Sequence, residues 1–478
     1  MEHSKKVGRP LPTRLVTIAG AALVLSLGAF ALVGRFDRSP ASTAASPATS
    51  PATSPATGSA TSPATSPVSD NGLPQPATQS GATDQAPLSL ATDTSASNDI
   101  TATIALLEAA VKAQPGDGQS WSDLSNAYLR YAFRSADPSY YSLARDAIER
   151  ASTLLDNSVK VRITRTHLLL ALHQFPAAER EATSALQIDP ANFDAQVALT
   201  DALIETGQYD SARDIVDKLV DQRPGVASLS RLSYLRQLTG DLAGSLAAMR
   251  SAVSAAPADS IDKAVALAYL GEVQLEQGSV TAAKRSFTQA LELYPGSLVA
   301  TIGLARIQAV QGDQRGAQAL LEQFTALVPA PGAFGLQAEI ARSLGDTTAA
   351  AQADELVDAS VELLRANGSN VDADLALLLA DRGPGSAGDA VVAARQAYAD
   401  RKTIFTNDAL AWALVQNGKP ADAVPFIEAA LATDPQVASI NRHAAVIFEA
   451  VGDTQRADAA ARKAERNPTL RLAAPPVG

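Results

Sequence analysis

The stretch Ala264–Pro295, AVALAYLGEVQLEQGSVTAAKRSFTQALELYP, decides the fold of this chain. Its first half places Leu267 and Leu270 on one face at helical spacing, with Gly271 where only a hydrogen fits beneath a closely crossing neighbour. Gly278 ends this first helix, and a second amphipathic helix follows it. Two helices this short cannot bury their own apolar faces, so the pair predicts a stack of similar units.

The small residue inside the second helix of this unit recurs ten times, at intervals of 33 to 40 residues. These positions are Ala144, Ala178, Ala212, Ser245, Ala283, Ala317, Ala350, Ala390, Ala423 and Ala457. Most intervals are 33 or 34 residues, and the two longer ones indicate local insertions. Turns such as Gly240-Asp241 combine a left-handed helix end with a cap for the next helix. The pattern predicts an all-α array of about ten helix pairs over residues 100–468, with a tail at 469–478.

The pattern resembles the tetratricopeptide repeat family, whose period is 34 residues. The positions that carry the resemblance are Trp121, Leu124 and Tyr128 in one unit and Leu270, Gly271, Ala283, Phe287, Ala290 and Pro295 in another. The resemblance covers about 370 of the 478 residues. It implies a right-handed superhelix whose first helices line a concave groove for peptides, helices or protein surfaces. Specificity is expected where units depart from the pattern, as Val159–Pro190 does with Arg165-Thr166 in place of Leu-Gly.

The composition narrows the classes of partner and of chemistry. Residues 1–99 carry no net charge, so the whole charge of −11 falls on residues 100–478. An acidic body argues against nucleic acid, whose phosphates need a basic surface. The chain has no cysteine, which excludes disulfides, thiolate metal sites and a cysteine nucleophile.

The N-terminal segment predicts a membrane anchor. Residues 1–14 are basic, and residues 15–34, LVTIAGAALVLSLGAFALVG, form an uncharged run long enough to span a bilayer. The basic residues predict that 1–14 remain in the cytoplasm and that everything after residue 34 is extracytoplasmic, in a periplasm or at the cell exterior. A signal peptide cleaved after Ala29-Phe30-Ala31 is the alternative, although the run exceeds the usual length of such a segment. A buried core helix is a third interpretation, disfavoured by the composition that follows.

Residues 35–99 are rich in Ser, Ala, Thr and Pro, with the repeat SPATSPATSPAT at their centre. Such a segment cannot bury enough apolar surface to offset ordering, so it predicts a disordered linker. A plain spacer and a glycosylated or wall-crossing stalk both remain open.

Three patterns could carry chemistry, and each has a simpler interpretation. Residues 383–388, GPGSAG, match a dinucleotide-binding fingerprint but lack the preceding strand, which favours a loop. His167 and His173 are six residues apart and do not share a helix face, so packed or solvated histidines are favoured over a metal site. Glu272 and Glu276 do share a face, but an acidic groove lining is favoured over general acid/base catalysis. No motif predicts a cofactor or an enzyme.

The groove is the predicted binding site. Its candidate residues are Asn126, His167, Asp201, Glu205, Tyr234, Glu272, Glu276, Arg306, Glu339 and Trp412. Tyr234 and Trp412 are candidate anchors because aromatic rings bury a large area at little entropic cost. For Trp412, packing between units is an equal alternative.

The sequence therefore predicts a membrane-tethered, non-catalytic scaffold or assembly factor that binds protein or peptide segments outside the cytoplasm. Two alternatives remain: an accessory subunit of an envelope transferase or maturation machine with catalysis in a partner, and a structural oligomerisation spacer.

Overall fold

A computed structural model describes residues 96–471, which contain 21 α-helices and two short 3-10 turns and no β-strand. The predicted segments 1–14 and 15–34, most of the predicted linker 35–99, and residues 472–478 lie outside the described residues. Among the helices of residues 96–471, none combines the length and the hydropathy needed to cross a bilayer.

One helix, α1 (Ala96–Ala113), precedes ten helix pairs, which we number as units 1 to 10. The pairs are α2 (Gly118–Ser135) with α3 (Ser139–Leu154), α4 (Val159–Ala171) with α5 (Phe175–Ile188), α6 (Phe193–Glu205) with α7 (Tyr209–Gln222), α8 (Val226–Leu238) with α9 (Leu242–Ala255), α10 (Ile261–Glu276) with α11 (Val280–Leu293), α12 (Leu298–Val310) with α13 (Gln314–Thr325), α14 (Pro331–Ser343) with α15 (Thr347–Ala366), α16 (Asp372–Asp381) with α17 (Ala387–Asp400), α18 (Ile404–Gln416) with α19 (Pro420–Ala430), and α20 (Ala438–Ala450) with α21 (Thr454–Ala464). The 3-10 turns are Pro384–Ser386 and Pro468–Arg471.

The predicted repeat register is confirmed by burial. All ten small residues of the second helices lie inside the helix pairs, and none is more than 7% exposed. A larger side chain at these positions would push the two helices of a unit apart. The register read from the sequence is thus the register of the packing.

The predicted Gly-Asp turns also form as expected. The aspartates that follow the glycines accept a hydrogen bond from a backbone N–H in the first turn of the second helix, as Asp241 does from Gly244 and Asp313 from Gly316. Such caps satisfy donors that have no partner inside the helix.

The two long intervals arise chiefly from longer helices. First helix α10 has 16 residues where α6, α8 and α12 have 13, and second helix α15 has 20 residues. The array also extends beyond its predicted limits. Helix α1 begins at Ala96 rather than at residue 100, and Pro468–Arg471 packs against α12 where a tail was expected from residue 469.

Candidate functional site

The ten predicted groove residues all lie on first helices, but the structure gives them two environments. Six are half-buried: Asn126, Tyr234, Glu272, Glu276, Arg306 and Glu339. Four are almost completely buried: His167, Asp201, Glu205 and Trp412. Binding by the first set stays a prediction. The second set has no surface to offer a partner in this structure, because neighbouring units and ion pairs enclose these side chains.

Trp412 exposes none of its surface, which fits the packing alternative rather than the anchor. Its ring stacks on the imidazole of His443, with 4.2 Å between the ring centroids and 12° between the planes. Its Nε1 donates to Oδ1 of Asp381 at 2.9 Å, as a buried indole N–H usually requires. Because the three groups come from α16, α18 and α20, Trp412 joins three consecutive units.

Arg231, which the sequence analysis missed, explains the burial of two predicted residues. Its guanidinium is completely buried and donates from Nη2 to Oδ2 of Asp201 at 2.5 Å. Burial raises the pKa of Asp201 to about 6, although the Arg231 charge opposes that rise. Burial and the same guanidinium lower the pKa of His167 to about 3, so its imidazole is neutral. Arg231, Asp201 and His167 form a closed polar cluster within the layer of first helices, which we call the first-helix wall. The ion pair offsets the cost of burying its two charges.

Three of the half-buried residues have weak or incomplete polar contacts: Arg306, Glu339 and Asn126. Arg306 Nη2 lies 3.6 Å from Glu339 Oε2, with both side chains about a third exposed, so this pair adds little stability. Oδ1 of Asn126 is buried and accepts no hydrogen bond from the residues that the structure describes.

The main feature that sequence reasoning missed is a set of contacts between early and late units, which we call the inter-turn seam. Residues at or near the turns of early units meet segments that lie 162 to 222 residues later in the chain, most of them 194 to 199 residues later. The hydrogen bonds of the seam join Arg145 with Asn367, Gln174 with Gly368, Leu172 with Asn370, Glu205 with Arg401, Leu238 with Thr433, Gln237 with Gln436, and Glu276 with Ala438. The array therefore coils so that successive turns touch edge to edge.

Polar contacts join the two turns along the seam. Gln174 Nε2 donates to the carbonyl of Gly368 at 2.9 Å, and Thr433 Oγ1 donates to the carbonyl of Leu238 at 2.7 Å. Among the described residues, the shortest ion pair of the seam joins Arg401 Nη1 to Glu205 Oε2 at 2.6 Å. Apolar contacts cross the seam as well, because one apolar cluster contains residues of units 3 to 5 and of units 7 to 10, including Tyr209 and Ile404. Hydrogen bonds that replace bonds to water stabilise only modestly, so the seam depends on this apolar packing as well as on its polar contacts.

Glu272 and Glu276 occupy the part of the wall next to the seam. Oε2 of Glu276 accepts a hydrogen bond from the backbone N–H of Ala438 at 2.9 Å, which places a carboxylate at the N-terminus of α20. Burial nevertheless raises the pKa of Glu276 to about 8, helped by the charge of Glu272, and raises that of Glu272 to about 7. Both side chains keep some accessible surface, so they lie in a recess surrounded by protein.

Aromatic side chains continue this recess. Tyr234 is stacked on Phe405 across the two turns, with 6.5 Å between the ring centroids and 6° between the planes. Tyr269 lies one helical turn before Glu272 and is half-buried like it. Burial raises the pKa of both tyrosines above its usual range, so their hydroxyls stay protonated at neutral pH. We call Tyr234, Tyr269, Glu272 and Glu276 the recess residues.

The turn after each first helix contains one residue with positive φ, and comparison of this position among units exposes an exception. Eight units have glycine there: Gly207, Gly240, Gly278, Gly312, Gly345, Gly383, Gly418 and Gly452. Unit 1 has Ala136 and unit 2 has His173, at φ 57°. A left-handed backbone is uncommon for residues other than glycine. The position of His173 in the repeat, more than its spacing from His167, is the signal that could have marked it.

The remaining candidate motif forms a loop. Residues 383–388 contain the 3-10 turn Pro384–Ser386 between α16 and α17, and the helix α16 occupies the place where a dinucleotide site would need a strand. Within residues 96–471, no group of three or more His, Asp or Glu side chains is arranged to hold a metal ion.

Comparison with known proteins agrees with the helix pairing. Family models described as tetratricopeptide repeat match residues 169–233, 274–340 and 409–470. These segments fall in units 2 to 4, 5 to 7, and 9 and 10. No curated protein matches the chain in sequence.

Several solved structures are similar at low sequence identity. A human IFIT1 dimer with m7Gppp-AAAA is 13% identical over 66% of this chain and 72% of that chain, with a TM-score of 0.44. The Pseudomonas aeruginosa protein pilF is 17% identical over 41% of this chain and 89% of that chain, with a TM-score of 0.35. YrrB, described as a TPR protein with an unusual peptide-binding site, is 14% identical over 41% and 95%, with a TM-score of 0.27.

Tetratricopeptide repeat proteins generally mediate protein–protein interactions, and their repeat is typically a non-catalytic scaffold. The ten helix pairs, their period and the three matched segments together support the tetratricopeptide repeat family for the helical array of this chain.

Proposed function

We propose that this chain is a non-catalytic scaffold or assembly factor that binds protein or peptide segments along the first-helix wall of its coil. The observation that carries the proposal is the set of recess residues on α8 and α10. Each is surrounded by protein, yet each keeps part of its side chain accessible. Aromatic rings supply contact area, and carboxyl groups supply directional acceptors for a bound segment.

The charge of the array favours one class of segment. Because the body is acidic, segments that carry Lys or Arg are attracted to it, whereas nucleic acid is repelled. Glu272 and Glu276 would each be held in the ionised form by a bound cationic side chain, since a nearby positive charge lowers a carboxyl pKa.

A site-specific photo-crosslinking experiment in cells that express the full chain tests this binding mode. A photoreactive phenylalanine analogue replaces Tyr269 in the recess, and the matched control places it at the exposed Lys284 on the second helix α11. We expect a protein segment, identified by mass spectrometry, to crosslink at position 269 and not at 284. Equal crosslinking at both positions, or none at 269, would contradict the proposal.

The chain is further proposed to be a single-pass membrane protein, with residues 1–14 in the cytoplasm, residues 15–34 in the bilayer, and the array held outside by the linker 35–99. The uncharged run and the basic residues before it support this topology. Because the natural chain has no cysteine, single cysteines can report its topology. A membrane-impermeant maleimide applied to intact cells should label a cysteine at Ser59 and not one at Ser4. Labelling at both positions, or at neither, would overturn this arrangement.

A further inference from the structure

A cavity of about 250 Å³ lies in the seam between unit 2 and unit 8. Its lining comes from both turns of the coil, with His173, Phe175 and Arg180 on one side and Asp374, Asp400 and Arg401 on the other. The volume is below the range of about 300 to 1,000 Å³ that is typical of pockets for drug-sized ligands. The cavity therefore suits a small molecule, which would touch both turns at once.

Two guanidinium groups line the cavity. Arg401 is held in place because its guanidinium lies 4.2 Å above the ring of Phe175 and donates through Nη1 to Glu205. These contacts use one nitrogen and leave the other N–H groups of the fork for an occupant. Arg180 is exposed at the cavity, and no carboxylate of the described residues pairs with its side chain. A guanidinium group presents parallel N–H donors that match the geometry of a carboxylate.

Two carboxyl groups line the same cavity. Asp400 is held by a hydrogen bond from Asn370 Nδ2 at 2.7 Å. Asp374 has no such anchor: its Oδ2 lies 3.8 Å from Nδ1 of His173, which is beyond hydrogen-bond distance. Burial raises the pKa of Asp374 to about 6, with Arg401 opposing the rise and Glu205 adding to it. At neutral pH Asp374 is thus mainly an ionised acceptor without a cationic partner in contact.

His173 gives the cavity a group that no other unit provides at this position. Its backbone has the left-handed conformation that glycine adopts at this position in eight units. The turn of unit 2 is therefore strained, and it carries a side chain where those units have none. The imidazole is 7% exposed, stacks on Phe175 and hydrogen-bonds to the backbone of Asn370 across the seam. Burial and the charge of Arg401 lower its pKa to about 3, so it adds no positive charge.

We propose that this cavity binds a small zwitterion of the amino-acid type, with its carboxylate on Arg180 and Arg401 and its ammonium group on Asp374. A zwitterion fits because it can pair with the guanidinium groups and with the carboxyl group of the cavity, and it adds no net charge to a half-buried site. His173 lines the cavity and hydrogen-bonds to the backbone of Asn370. An occupant bridges units 2 and 8, so it stabilises the closed seam by mass action. This site lies at the edge of the coil and does not depend on the recess residues.

The test uses isothermal titration calorimetry and thermal unfolding of the full chain with the twenty L-amino acids as individual probes. We expect at least one to bind and raise the melting temperature. Its deaminated acid and its decarboxylated amine should each bind at least tenfold more weakly. If none of the twenty binds, or if the deaminated acid binds equally well, the proposed ligand class is wrong.

Variants locate the site. Arg180→Gln removes an exposed guanidinium and should weaken binding of the active probe at least tenfold, whereas Arg250→Gln, an exposed arginine on α9, should leave it unchanged. His173→Gly introduces the residue that eight other units use, so the turn is expected to fold and the affinity to fall. Wild-type affinity in Arg180→Gln, or in a folded His173→Gly, would place the ligand elsewhere and overturn the proposal.

Discussion

Arg401 donates from Nη1 to both the backbone carbonyl and Oε2 of Glu205, at 3.1 and 2.6 Å, across 196 residues of sequence. Glu205 is 97% buried, and its Oε1 accepts no hydrogen bond in the described residues, so this arginine provides its only charged partner. We expect Arg401→Met to lower the free energy of unfolding by about 3 kcal/mol, because it strands a buried carboxylate. Urea unfolding followed by circular dichroism measures this loss.

The double variant Glu205→Gln/Arg401→Met should lose less than Arg401→Met alone, since the stranded charge is gone. Arg395→Met, an exposed arginine on α17, is the control and should be near neutral. A loss in Arg401→Met no larger than in Arg395→Met would show that the seam contributes no stability at this point.

Phe287 fills the space that two glycines leave open. A Cβ on Gly271 would lie 2.4 Å from Cε1 of Phe287, and one on Gly303 would lie 2.3 Å from its Cζ. Gly271→Leu should therefore force the helices of unit 5 apart and cost about 1 to 3 kcal/mol. Gly388→Ala is the control, because nothing lies within 4 Å of its added Cβ. A melting temperature unchanged in Gly271→Leu would contradict the assigned register.

Glu276 should make stability fall as pH rises. Its folded pKa of about 8 lies above the ordinary glutamate value near 4.3, so the folded state binds the extra proton between these limits. The contribution is present in full below about pH 4.3 and is lost as pH rises through 8. Glu276→Gln keeps an acceptor for the N–H of Ala438 and should be more stable than wild type at pH 8.5, by on the order of 2 kcal/mol.

The comparison of unfolding free energies at pH 5.5 and pH 8.5 checks this effect. Exposed Glu292→Gln serves as the matched control and should follow the wild-type profile. Parallel pH profiles for wild type and Glu276→Gln would show that Glu276 titrates normally.

Trp412 should behave as a buried reporter. In Trp121→Phe it is the only tryptophan, and its complete burial predicts emission shifted to shorter wavelength than in the unfolded chain and slow quenching by acrylamide. Trp412→Phe, which leaves half-buried Trp121, should be quenched faster. Fast quenching of Trp412 would restore its role as an accessible anchor. Trp412→Ala should also lower stability by about 3 to 5 kcal/mol, as expected when a large buried ring is removed.

The local architecture could be predicted because it depends on short-range rules. Three features act within one unit: the alanines at the helix crossings, the glycines at positive φ and the aspartate caps. They could therefore be predicted from the sequence pattern alone. The long helix α15 was predicted only as an insertion, because a period of 40 residues does not tell whether a loop or a helix is longer.

The environment of the groove residues could not be predicted in the same way. Whether Glu205 or Trp412 faces solvent depends on how tightly the array coils, which is a sum of small rotations over many units. No local sequence pattern identifies Arg401 as the partner of Glu205, because 196 residues separate them. His173 could have been found from the sequence, because it and Ala136 are the two residues that replace glycine at this turn position.

The sequence separation of the seam partners has a consequence for synthesis of the protein. During synthesis at about 5 to 20 residues per second, Glu205 waits roughly 10 to 40 s before Arg401 is made. During that time the carbonyls, amides and carboxylate of the early turn remain hydrated, whereas apolar side chains that later join the shared cluster, such as Tyr209, lack their distant partners. Removal of one unit between the two turns would shift every later seam partner by one unit, so the pairing of Glu205 with Arg401 depends on the number of units between them.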